Sequence, residues 1–258
     1  MNEFEIVEIT EDNVLEYGLC GYKNIKRAGF FEKIEWFKKQ RALGLIIKGL
    51  YSKKAGTQGM IEYLPGKYCW RPVQAKEYMF IHCLFVGFKK EYKNKGYGSL
   101  LIKECIKDTV KQDLKGIAVV TRKGSFMAGK DIFIKNNFKV VDSAPPDFVL
   151  LVYKFNKEIS DPEFNNNWDE KQKKYGDGLF IVRADQCPYT VKNVNEIIEI
   201  AEKEFGINAN VVDIKDYKIA QNSPCPFGIF CILYKGKAIA NHPISKRRFM
   251  NIMSKEVI

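Results

Sequence analysis

The run from Ile81 to Lys111 constrains this chain more than any other segment. It begins as Ile81-His-Cys-Leu-Phe-Val-Gly-Phe88, an apolar stretch of strand length. It passes into Lys89-Lys-Glu-Tyr-Lys-Asn-Lys-Gly-Tyr-Gly98, a basic loop holding Gly96 and Gly98. It ends in Gly98–Lys111, where Leu101, Ile102, Cys105, Ile106 and Val110 recur on one side, as an amphipathic helix requires. Strand, loop and helix in that order belong to a layered α/β architecture. The loop also has the makings of an anion site. Orphan N–H groups point out of a helix N-terminus, and the helix dipole favours negative charge there. Glycines let the backbone approach a phosphate closely. The expected ligand is a pyrophosphate lying over Lys93, Asn94, Lys95, Gly96, Tyr97, Gly98 and Ser99.

Two familiar phosphate loops are excluded. No Gly-Lys-Ser/Thr follows, so this is not an ATP-binding P-loop, and the dinucleotide fingerprint needs a third glycine at its own spacing. Lys93-x-x-Gly96-x-Gly98 instead resembles the coenzyme A loop of the GNAT acetyltransferases, Arg/Gln-x-x-Gly-x-Gly/Ala. Lysine at the first position keeps the cation but loses the planar fork of arginine.

The resemblance covers roughly residues 1–155 and implies a mixed, splayed sheet with acetyl-CoA as co-substrate. Backbone groups of the strand before the loop hold the pantetheine arm in that family, which falls at Val86, Gly87 and Phe88 here. Asp131-Ile-Phe-Ile-Lys-Asn-Asn-Phe138 resembles the family's short helix, with Phe133 where a proton-donating tyrosine is common and Asn137 at a usual glycine. His82 stands where the histone-acetylating branch carries a glutamate base. Imidazole titrates near pH 6.5 when unperturbed and suits that task, although a histidine on a strand also reads as a satisfied sheet residue. Glu62, on the preceding strand, is the second candidate base.

Around this segment, strands are expected over 4–9, 45–51, 59–64, 78–88, 117–121, 139–142 and 148–155, with helices over 14–23, 30–41 and 130–136. Trp70 reads either as lining a cleft or as packing a hairpin. Of the net charge of +11, residues 1–155 hold 27 basic against 17 acidic side chains, whereas residues 156–258 hold 15 against 14. A basic first half suits an anionic partner. The lysines are dispersed rather than interleaved with aromatics on one element, so a nucleic-acid partner is not expected. Seven scattered cysteines without a CxxC pair, no apolar run of membrane length and no leader-like start point to the cytoplasm, with Cys20, Cys69, Cys83, Cys105 and Cys231 as small core side chains.

Asn156–Gly178 has linker composition, so the expected division is a domain over 1–155, a linker over 156–177 and a second domain over 178–258. The second domain reads strand 179–183, helix 191–205, strands 209–213, 227–234 and 237–240, and helix 245–253. That order resembles a smaller thioredoxin-like α/β unit, and Cys187-Pro-Tyr-Thr190 resembles a glutaredoxin motif whose second cysteine is threonine. Ser223-Pro-Cys-Pro-Phe227 falls where that fold keeps a cis-proline, at Pro224 or Pro226, and Cys187 and Cys225 form a possible thiol site. The pairing of halves resembles the bacterial acetyltransferases with a YoaP-like C-terminal domain. The expected activity is transfer of acetyl from acetyl-CoA to an amine of a small molecule or peptide. The alternative is a thiol-dependent redox or metal- or metalloid-binding protein using Cys187 and Cys225, its first half a scaffold or coenzyme A sensor.

Overall fold

The computed structural model describes residues 4–87 and 90–256. By contact density the chain divides into two compact units, one of residues 1–69 and 73–164, the other of 70–72 and 165–258.

The first unit runs β1 (Glu5–Glu8), α1 (Val14–Tyr17), α2 (Phe30–Arg41), β2 (Ile46–Ser52), β3 (Gly56–Pro65), β4 (Val73–Gln74), β5 (Tyr78–Val86), α3 (Tyr97–Lys111), β6 (Gly116–Arg122), α4 (Lys130–Lys135), β7 (Lys139–Ala144), β8 (Phe148–Lys154) and β9 (Glu163–Phe164). Seven strands form one mixed sheet in the order β1-β2-β3-β5-β6-β8-β7, in which β5 and β6 are the parallel pair. The central strands β3, β5 and β6 are buried along most of their length, as strands covered on both faces must be. One core holds Ile61, Tyr63, Met79, Ile81, Leu101, Ile102 and Cys105, so the apolar side of α3 lies on the sheet.

The mixed α/β class and the splay are both present. The β5–β6 register runs only from Tyr78↔Gly116 to Ile81↔Val119, while β5 continues to Val86 and β6 to Arg122. The helix expected over 14–23 stops at Tyr17, because Gly18, Cys20 and Gly21 all take positive φ. The two-residue strands β4 and β9 pair with each other and lie below the length at which alternation can be read.

The second unit continues with α5 (Trp168–Lys173), β10 (Leu179–Arg183), α6 (Tyr189–Phe205), β11 (Ala209–Asp213), α7 (Tyr217–Gln221), β12 (Phe230–Tyr234), β13 (Lys237–Ala240) and α8 (Lys246–Glu256). The expected linker thus carries β9 and α5. Its four-stranded sheet has the order β11-β10-β12-β13, with β10 parallel to β11 and antiparallel to β12. Gly206 at φ 63° ends α6, its N–H and that of Ile207 bonding back to Glu202 and Ala201. The α7 turn, expected as loop, exists because the Asp216 carboxylate accepts from the N–H groups of Lys218 and Ile219. Neither Pro224 nor Pro226 follows a cis bond; the cis bond among the described residues is Pro145–Pro146.

Candidate functional site

The loop expected to hold an anion is built as one. Asn94 and Gly96 both take left-handed φ, 59° and 82°, the backbone habit of anion-binding concavities. Gly96 is the N-cap of α3 and its side carries no competing cap. The first bond of the helix runs from the Leu100 N–H to the Gly96 carbonyl at 3.1 Å. The N–H groups of Tyr97, Gly98 and Ser99 therefore precede the helical ladder. A cleft of about 460 Å³ opens there, lined by Leu84–Val86, by Tyr92–Ser99 and by Asp131, Ile132 and Lys135 of α4. Lys93, Lys95 and Lys135 bring positive charge to it against the single carboxylate of Asp131.

The strand side of the cleft follows from two close fits. Gly59 faces Val86, and a Cβ on Gly59 would lie 2.8 Å from the Phe85 carbonyl oxygen, so only glycine permits this approach of β3 to β5. The Gly87 N–H donates to the Gln58 carbonyl at 2.6 Å. Leu84, Phe85 and Val86 pair with β3 on one side but have left the β6 register on the other. Phe88, also expected here, lies outside the described residues.

Helix α3 is fixed from behind. Lys48 of β2 reaches Asp108 at 2.7 Å and Glu104 at 3.0 Å, and the Tyr63 hydroxyl donates to the same Asp108 oxygen at 2.7 Å. Burial pushes the Asp108 carboxyl up, but hydrogen bonds from Lys48, Tyr63 and Lys111 outweigh it and hold it below the usual range. Burial pulls the Lys48 amine down, and its bonds to Asp108 and Glu104 overcome that and raise it. At the front, the Asn136 amide donates to the Ser99 hydroxyl at 2.9 Å, tying α4 to the first turn of α3.

His82 and Glu62 do not line this cleft. Tyr63 faces α3, so its neighbour Glu62 faces the other side of the sheet, where α2 lies. The Glu62 carboxylate forms an ion pair with Lys33 of α2, both side chains closed to solvent. Its other oxygen lies 3.7 Å from His82 Nδ1, ion-pair reach rather than a hydrogen bond. The His82 ring is buried beside those of Phe80 and Trp36, at 5.6 and 6.4 Å. The backbone explains its place. Glu62 pairs with Cys83 and Tyr63 with Ile81, which leaves His82 as the extra residue of a bulge. The β5–β6 pairing stops at Ile81, so bulge and splay coincide. Phe133 is buried against Phe138 at 5.5 Å and belongs to the core, and Asn137 takes a left-handed φ of 65°.

In the second unit, Cys187 is half-buried just before α6, its carbonyl accepting from the Thr190 N–H and hydroxyl. Arg71 is buried; it donates to the Trp70 carbonyl and to Gln186 Oε1, each at 2.8 Å, and lies 5.3 Å from the Phe227 ring. Trp70 is buried as well, so it packs rather than lining an open cleft. Cys225 is fully buried, and its S–H reaches the Phe230 carbonyl oxygen at 3.1 Å. Among the described residues no group of three or more His, Cys, Asp or Glu could hold a metal ion, and no helix is long and apolar enough to cross a membrane. Lys33, Asp131 and Lys135 read from the sequence as solvated helix residues, with no signal there for the places they take.

Residues 209–251 match the family described as YoaP-like. Over 254 residues the chain is 28% identical to a protein of Bacillus subtilis (strain 168) called uncharacterized N-acetyltransferase YoaP, covering 96% of this chain and 98% of that one. Among solved structures, the PaiA N-acetyltransferase of Thermoplasma acidophilum in complex with coenzyme A is 17% identical, covers 59% of this chain and 99% of its own, and superposes with a TM-score of 0.39. The GNAT family N-acetyltransferase YhbS of Escherichia coli in complex with CoA is 9% identical over 63% of this chain and 89% of its own, with a TM-score of 0.41. Both structural likenesses are distant.

Proposed function

We propose that this protein is an acetyl-CoA-dependent N-acetyltransferase whose co-substrate occupies the cleft between β5, the Lys93–Ser99 loop and α4. The observation that carries the reading is the coincidence at one place of a splayed strand pair, a left-handed basic loop and a helix N-terminus. The full-length likeness to an N-acetyltransferase supports it. The pyrophosphate takes the N–H groups that open α3, with Lys93 and Lys95 beside it. The pantetheine arm, whose amides are both donors and acceptors, lies along Leu84–Val86 on the side that β6 leaves. This brings the thioester toward the bulge at His82.

The reaction follows from that placement. An uncharged amine of a small molecule or peptide attacks the thioester carbonyl, the N–C bond forms, and the C–S bond breaks to release coenzyme A thiolate. In this reading the amine approaches on the α2 face of the sheet, opposite the cleft, and gives its proton to His82, with Glu62 beside the ring. General-base catalysis of this kind is worth about 10²–10⁴-fold. Phe133 carries no exchangeable proton and is buried in the core, so the departing thiolate is not protonated from that position.

Residues 178–258 form a thioredoxin-like unit in this reading. It is supported by the β11-β10-β12-β13 order, with one parallel pair and helices α6 and α8 packed together through Phe205 and Phe249.

Purified protein incubated with acetyl-CoA and a panel of amines, with free coenzyme A thiol as readout, tests the activity. Thiol release that requires both acetyl-CoA and one class of amine is the expected result. Binding of acetyl-CoA without release in the presence of any amine would reduce the first unit to a coenzyme A sensor.

A further inference from the structure

Helix α4 meets the first turn of α3 at Gly98 and Ser99. The Ile132 side chain packs over Gly98, where a Cβ would lie 3.4 Å from it, and the Asn136 amide nitrogen donates to the Ser99 hydroxyl oxygen at 2.9 Å. Asn136 ends α4 and is itself firmly placed. Its backbone N–H and that of Phe138 both bond to the Phe133 carbonyl, at 2.9 and 3.0 Å, and Phe133 and Phe138 are core side chains. The Asn136 amide nitrogen also donates to the Ile132 carbonyl oxygen at 2.7 Å. A carbonyl only accepts, so this bond fixes the nitrogen of the amide, not its oxygen, on the side of Ser99. One amide hydrogen goes to Ile132 and the other to Ser99.

That arrangement decides what the Ser99 hydroxyl can do. A hydroxyl has one hydrogen to donate and two lone pairs. The Ser99 oxygen accepts from Asn136, so its own hydrogen is left for another acceptor, and among the described residues no protein acceptor takes it. Ser99 lines the cleft with Lys93, Lys95 and Lys135. A phosphate oxygen is a charged acceptor, and hydrogen bonds to charged groups are the stronger class. A hydroxyl that is already accepting donates more strongly still. Without the amide the hydroxyl would rotate between donor and acceptor roles, and a ligand would have to order it at a cost in entropy.

We propose that Asn136 is a positioning residue for acetyl-CoA: by donating to Ser99 it commits the Ser99 hydroxyl to donate to a pyrophosphate oxygen. The inference rests on the placement of acetyl-CoA proposed above. It adds a residue outside the wall of the cleft, since Asp131, Ile132 and Lys135 line it but Asn136 does not. Asn136 therefore acts on the cofactor through Ser99 alone.

A double-mutant cycle tests this, with acetyl-CoA affinity measured by calorimetry for the parent, Ser99→Ala, Asn136→Leu and the double variant, and with melting followed for each. Ser99→Ala should weaken binding by about tenfold, the scale of one hydrogen bond to a charged group. Asn136→Leu should weaken it by about twofold or more, the lower end of couplings between contacting residues. In the Ser99→Ala background the same Asn136→Leu change should cost nothing further. Asn136→Ala, which adds no bulk, carries the same expectation should leucine pack badly. A loss of stability at the end of α4 would lower affinity equally in both backgrounds, and that result would overturn the inference. Parent-like affinity in Ser99→Ala, or in both Asn136 variants, would overturn it too. A parent protein that binds no acetyl-CoA would remove the placement itself and this inference with it, whereas equal losses around a parent that binds would overturn the inference alone.

Discussion

His82 Nδ1 lies 3.7 Å from Glu62 Oε1, on the face of the sheet opposite α3. If His82 takes the amine proton, His82→Gln keeps a polar side chain of similar reach but no base. Turnover should fall by roughly 10²-fold or more, while acetyl-CoA affinity changes little. The acidic limb of the pH–rate profile should disappear with it. Steady-state kinetics across pH check this, and an unchanged limb at near-normal turnover would return His82 to a packing role.

Lys33 and Glu62 form an ion pair with both side chains out of solvent, and the Lys33 amine also lies 4.1 Å above the Trp36 ring. Removing one partner strands a buried charge. Lys33→Met should therefore destabilise the first unit by about 3–5 kcal/mol. The double change Lys33→Met, Glu62→Leu removes both charges and should recover most of that loss. Urea denaturation of the three proteins measures it. A double variant no more stable than Lys33→Met would show that the pair holds something other than its own charges.

The network behind α3 predicts a pH dependence. The Asp108 carboxyl is depressed in the folded protein, so its contribution is present above the unfolded value, about pH 3.9, and is lost as pH falls through the folded value. The Lys48 amine is raised, so its contribution is complete below about pH 10.4 and is lost as pH rises above that through the folded value. Asp108→Asn should flatten the acid side of the stability curve and lower the plateau by roughly 3 kcal/mol. Denaturant midpoints taken from acid to alkaline pH check both limbs.

Much of this organisation is legible in the sequence, and the exceptions share a cause. The Gly98–Lys111 pattern fixes a helix because its apolar residues recur at helical spacing, and the structure begins it at Tyr97. The α2 helix is legible at both ends, yet Lys33 within it is not. A lysine on an amphipathic helix reads as solvated, and only the carboxylate of a strand distant in sequence makes its burial tolerable. Phe31 errs the other way; an aromatic beside Phe30 in α2 reads as core, yet it is exposed. The bulge at His82 depends on register against β3, which no local pattern encodes.

The claim on which the rest depends is that acetyl-CoA binds over Lys93–Ser99. Gly98 is suited to test it. Its φ is not among the positive ones, and a Cβ there would meet the Ile132 side chain at 3.4 Å, an ordinary contact. Gly98→Asp should therefore fold while placing a carboxylate among the N–H groups that open α3. Isothermal calorimetry of acetyl-CoA with the parent protein and with Gly98→Asp is the most direct measurement. The account predicts saturable binding to the parent and its loss in a variant with unchanged circular dichroism and melting. Equal affinity in a folded Gly98→Asp variant would contradict it.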